Sequence, residues 1–112
     1  MVERGRYAAW IQRLVDAVLT TPGHTPSALR HAAFARAARP GAPADGLPAP
    51  LAGYVDKVAL HAYQVTDDDL AALQRAGSSE DAVFEITVTA AVGAALARLD
   101  RGLAALRGEE PV

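Results

Sequence analysis

From Ala82 to Leu99 the chain is apolar on nearly every side, interrupted only by Glu85, Thr87, Thr89 and Arg98. A helix with a single apolar stripe can lie at a surface, but one that is apolar all round must be covered by neighbours or by other subunits. This stretch, extended to a helix from about Glu80 to Leu106, is therefore expected at the centre of the fold, with the other elements arranged to cover it. The chain is 51% hydrophobic but only 5% aromatic, and much of the apolar part is alanine, which favours close-packed helices over a sheet of β-branched residues. An all-α fold follows. At 112 residues the chain has the size of one domain with a large surface for its volume, a shortage of buried area that an obligate oligomer would relieve.

Helical periodicity places the covering elements. Tyr7, Trp10, Ile11, Leu14, Val15, Val18 and Leu19 recur at helical spacing opposite Arg6, Gln12, Arg13 and Asp16, an amphipathic first helix in which Trp10 reads as a core or subunit-interface anchor. Thr20-Thr21-Pro22-Gly23 signals a turn. Thr25 before Pro26 reads as an N-cap with proline in the first turn of a second helix, about Pro26 to Ala38, whose core face carries Leu29, Ala33 and Phe34. Four prolines and two glycines between Arg39 and Pro50 break regular structure and predict an ordered or semi-flexible loop within one domain spanning residues 1–112. A third helix from about Ala49 to Gln64 carries Leu51, Val55, Val58, Ala59 and Ala62 on one stripe. Thr66 three residues before Asp69 forms a variant capping box for a short fourth helix ending near Ala76. Gly77 is placed to terminate that helix, Ser78 or Ser79 to open the last one, and Gly108 to Val112 is expected to fray.

Several classes of function fall away on composition. A net charge of −2 with arginines scattered among acids leaves no basic stripe for phosphates and argues against nucleic acid. The amino terminus lacks the apolar core of a signal peptide, and no stretch approaches the roughly 18 apolar residues of a membrane span, so a cytoplasmic protein is expected. The chain contains no cysteine, which removes disulfides, thiolate zinc sites, iron–sulfur clusters and thiol redox chemistry by its own side chains. His24, His31 and His61 lack the close pairing of a zinc-binding helix; neither a metal nor another cofactor is expected.

The stretch from His61 to about Leu99 has a distinctive cadence. A short helix ends in Ala76-Gly77, a serine–acid turn follows in Ser78-Ser79-Glu80-Asp81, and Val83-Phe84-Glu85-Ile86 begins an alanine-rich helix through Ala90-Ala91-Val92-Gly93. In this the chain resembles the alkylhydroperoxidase D and carboxymuconolactone decarboxylase family, with a family-like core over about residues 48–107. The resemblance implies a helical bundle of about five helices assembled as a dimer, trimer or hexamer. In the peroxidase branch a CxxC pair and a histidine four residues later precede the glycine; counting back from Gly77 puts those positions at Ala62, Val65 and Asp69. None can supply a thiolate, so the resemblance here implies a divergent member without thiol peroxidase activity. The decarboxylase branch also carries a histidine where Asp69 stands, and Asp69, beside two further aspartates, reads as a capping and solvated turn.

Glu85 is the foremost candidate for chemistry, because the family commonly has an acid there and Phe84, Ile86, Val88 and Val92 surround it with apolar positions. It is read either as a structural carboxylate paired with Arg98, a tyrosine or a backbone amide, as a half-exposed member of the first-turn acids, or as a pocket acid. His61 and Tyr63 lie at the end of the third helix and face either solvent or a cavity; Tyr54 and Tyr63 read equally as core rings with wet hydroxyls. Thr87 and Thr89 are expected to bond back to carbonyls a turn earlier. Three functions are compatible with the sequence: a small-ligand-binding or structural oligomeric module, an acid–base enzyme acting as a decarboxylase, isomerase or lactone-processing enzyme, or an accessory subunit of a redox partner that supplies the cysteines. In the second, Glu85 and His61 carry protons while Tyr63 or Arg98 orients an anionic substrate.

Overall fold

The computed structural model describes residues 4–43 and 45–108; the expected fraying beyond Gly108 and the signal-peptide reading at Met1 to Glu3 concern residues outside that range. Five α-helices account for the fold: α1 (Ala8–Thr20), α2 (Ser27–Ala38), α3 (Ala49–His61), α4 (Asp67–Arg75) and α5 (Glu80–Leu106). Single 3₁₀ turns, Gly5–Tyr7 and Ala62–Gln64, precede α1 and follow α3, and no strand occurs among the described residues. The chain is all-α.

Helix ends follow from the local sequence. Thr66 Oγ1 accepts the Asp69 amide at 3.3 Å while Asp69 Oδ2 accepts the Thr66 amide at 2.9 Å, a complete capping box. Lys57 donates to the same Asp69 oxygen at 2.8 Å, and chiefly this ammonium, then the Thr66 amide, holds the carboxyl below the usual aspartate range. At the other end of α4, Gly77 takes φ +109°, and the amides of Ser78 and Gly77 return to the carbonyls of Leu73 and Gln74, the paired bonds that close a helix through a left-handed residue. Ser79 Oγ then accepts the Ala82 amide and opens α5. At α2, by contrast, the cap differs from expectation: Pro26 occupies the N-cap without a side-chain bond, because the Thr25 hydroxyl is drawn to Glu85 instead.

α2 and α3 cover α5, and the core lies among Ala33, Ala37, Val55, Val58, Ile86, Ala90 and Ala94, with Leu47 reaching in from the proline-rich loop. Alanine makes this packing close. A Cβ on Gly93 would stand 2.7 Å from the Phe34 carbonyl oxygen, so the α2 and α5 backbones meet at a position only glycine fits. Thr87 and Thr89 return their hydroxyls to the carbonyls of Val83 and Glu85, which neutralises two polar groups on the central helix. Tyr54 is a core ring, 6% exposed, but its hydroxyl is not wet: it meets Thr87 Oγ1 at 2.6 Å.

Two expectations are corrected. α5 is long and apolar enough, by length and composition alone, to cross a membrane, since Glu85 and Arg98 are the only charged residues from Ala82 to Leu99. And α1 buries only part of its apolar stripe. Only Leu19 is buried, while Trp10 is 67% exposed and Tyr7 and Leu14 are also exposed, so Trp10 is no core anchor within one chain. The reason is that α1 is held largely by polar contacts at its ends: Arg4 forks onto Asp100 with two bonds of 2.9 Å, Ser27 donates to the Leu19 carbonyl, and Arg30 donates to the Val18 carbonyl. These contacts run α1 antiparallel to α5, with Ile11, Val15 and Val18 half-buried and Tyr7, Trp10 and Leu14 facing outward.

Candidate functional site

Glu85 stands in the second turn of α5 and reaches across to the turn that joins α1 to α2. Its Oε1 accepts the Thr25 amide at 2.9 Å and the Thr25 hydroxyl at 2.6 Å, and its Oε2 accepts the His24 amide at 2.6 Å. Gly23 permits this approach, since a Cβ there would fall 2.6 Å from Oε2. The Thr25 hydroxyl above all, then the two amides and the nearby His24, hold the Glu85 carboxyl below the usual glutamate range against an opposing effect of burial. Such surroundings favour the anion. A proton carrier at neutral pH needs the opposite shift. Of the structural pairings open to Glu85, the backbone amide is the one that forms.

Beside Glu85 a cavity of about 220 Å³ opens between α1, α2 and α5, walled by Ala17, Val18, Phe84, Val88 and Thr89 and by one further charged residue, Arg30. Arg30 is 5% exposed, yet among the described residues its side chain makes a single hydrogen bond, Nη1 to the Val18 carbonyl at 2.8 Å. Its Nε is buried without a partner, and no carboxylate among the described residues pairs with it. Buried charges are ordinarily paired, because desolvation is costly unless partners replace water. The other partly buried arginines obey that rule: Arg36 forks onto Asp56 with two bonds of 2.6 Å and Arg4 onto Asp100, which raises the pKa of both guanidinium groups. A second cavity, about 280 Å³ between α3 and α4, carries Lys57 and Asp69, but these two satisfy each other.

The remaining candidates lie elsewhere. Arg98 donates to the Ala59 carbonyl near the end of α3, and it stands thirteen residues from Glu85 on one continuous helix, about 20 Å along the axis. His61 sits at that same end of α3, its ring meeting the edge of Tyr63 at 6.1 Å, and Tyr63 is 82% exposed and so is not a core ring. Glu85 therefore hydrogen-bonds neither His61, Tyr63 nor Arg98. Sequence reasoning missed Thr25 and His24 as the holders of Glu85 and missed Arg30 altogether. The signal for Arg30 was present: Arg30, Ala33 and Ala37 share the i, i+3, i+7 spacing of one buried helix face. Compared with known proteins, the chain matches no family model, no curated protein and no solved structure.

Proposed function

We propose that this chain is a divergent, cysteine-free member of the alkylhydroperoxidase D and carboxymuconolactone decarboxylase family, working as a homo-oligomeric module that binds a small ligand between α1, α2 and α5. The observation that carries the reading is the cavity itself, with apolar walls and a buried, unpaired arginine, the combination expected of a small-molecule site. Support for the family is the helix, glycine, serine–acid turn and alanine-rich helix that run in order from Ala62 to Gly93, closed by the capping bonds at Gly77 and Ser79.

Support for assembly is the outward face of α1 and α5. Trp10 and Leu14 stand exposed on α1, and α5, which packs against α1, exposes Phe84 at 68% together with Val88, Ala91, Ala95 and Leu99. Together these side chains offer on the order of several hundred Å² of apolar surface, a size that marks contact sites. The occupant we assign is a second copy. The bulky ridge of α1 and the small residues of α5 at Ala91, Ala95 and Gly102 complement each other, and a two-fold axis would seat each ridge in the partner's groove. Phe84 and Val88 belong to both the cavity wall and this face, so assembly and ligand binding are expected to be coupled. Light scattering at micromolar concentration tests the assembly: a dimer or larger species that Trp10→Glu converts to a folded monomer is expected, and a wild-type monomer refutes it.

A further inference from the structure

Resting on that cavity as a ligand site, we infer that its ligand is a small monocarboxylate with a compact apolar body, whose carboxylate is received by the guanidinium of Arg30. Of the five N–H donors on that guanidinium, one is spent on the Val18 carbonyl, and the side chain has no acidic partner among the described residues although it is 5% exposed. A carboxylate is the group whose geometry a planar guanidinium fork matches with two parallel bonds. Glu85 does not fill this role. It lines the same cavity, but Oε1 and Oε2 already take three bonds from Thr25 and His24, and no ion pair joins it to Arg30.

The walls define the rest of the ligand. Ala17, Val18, Phe84 and Val88 offer methyl groups and one aromatic ring, which suit a hydrocarbon or aryl body. A volume of about 220 Å³ lies below the range of roughly 300–1,000 Å³ usual for drug-sized ligands, so the body is on the scale of a benzene ring or a short alkyl chain. Inorganic phosphate would satisfy the charge but leave those walls uncovered.

Arg30 also caps the C-terminus of α1, so the test must separate a ligand group from a structural one. The full chain, labelled with ¹⁵N, is titrated at fixed ionic strength with benzoate, benzyl alcohol and inorganic phosphate, and the backbone amides and arginine Nε–H signals are followed by NMR. Saturable benzoate shifts are expected at the Arg30 Nε–H and at the Val18 and Val88 amides. Benzyl alcohol and phosphate should bind at least tenfold more weakly, and the exposed Arg13 Nε–H should not move. Equal affinity for benzoate and benzyl alcohol would overturn the carboxylate assignment while leaving the cavity a ligand site. No saturable shift at Val18 and Val88 with any probe would remove the ligand site itself. Arg30→Met should weaken benzoate at least tenfold and leave benzyl alcohol unchanged; a lower melting temperature with unchanged benzoate affinity would show that Arg30 is only a helix cap. If Arg30→Met does not fold, the wild-type Nε–H response decides the question, with Arg30→Lys as the charge-conserving comparison.

Discussion

Replacing Glu85 by glutamine changes one oxygen into an amide nitrogen and leaves the shape nearly intact, so its effect reads the three hydrogen bonds at the α1–α2 turn directly. If the remaining oxygen stays on Thr25, the new NH₂ group confronts the His24 amide where Oε2 stood at 2.6 Å, donor against donor. If the side-chain amide flips, the Thr25 amide and hydroxyl lose their acceptor instead. Losing a charge-assisted bond costs about 1.5–3 kcal/mol; since the residue is partly exposed and water can compensate in part, about 2 kcal/mol is expected for Glu85→Gln. For a chain of this size that is a fall in melting temperature of roughly 10 °C, followed by circular dichroism at neutral pH. The sign of the pH dependence is also determined. The folded-state pKa is lowered from an ordinary 4.5, so the stabilisation is fully present above that value and is lost as pH falls through the lower folded value. The gap between wild type and variant should close over that acidic window, and Asp69, lowered in both proteins, cancels from the difference. A melting temperature that is unchanged or raised, or a gap that persists in acid, would refute the view that this carboxylate locks α5 to the turn.

Gly93→Ala should lose about 1–3 kcal/mol in urea denaturation, because the added methyl meets the Phe34 carbonyl at 2.7 Å. Gly53→Ala is the matched control: nothing lies near its Cβ, and a gain of up to about 1 kcal/mol from helix propensity is expected. Trp10 is the only tryptophan, so its emission should shift to shorter wavelength as protein concentration drives assembly; a constant, water-exposed spectrum would place the subunit contact elsewhere. Thr66→Ala removes the acceptor of the α4 capping box and should cost about 1 kcal/mol in the same denaturation assay.

Sequence reading located the helices because their signals are local: the Thr66–Asp69 capping box, the Gly77 stop and the Ser79 start each depend on residues within one turn. It also identified Glu85 as the acid that would need a partner. It did not identify the partner, because Thr25 is 60 positions away and its side chain had an equally good local use as a helix cap. Arg30 escaped for a related reason. Arg30 shares an alanine-rich helix with Arg36, nothing in the local sequence separates the two, and the burial that sets Arg30 apart arises where α1, α2 and α5 meet.

By itself, then, the sequence determined an all-helical chain centred on an apolar helix from Glu80, incapable of thiol chemistry with its own residues. Capping, periodicity and the absence of a residue type are properties of short stretches or of composition, and folding does not alter them. Only the tertiary structure decided that Glu85 turns to the α1–α2 turn while Arg98 and His61 stand at the far end of α5, that Trp10 faces outward, and that Arg30 is buried without a counter-charge. Those outcomes depend on which helix faces meet across tens of residues, and each face had more than one neighbour compatible with its pattern.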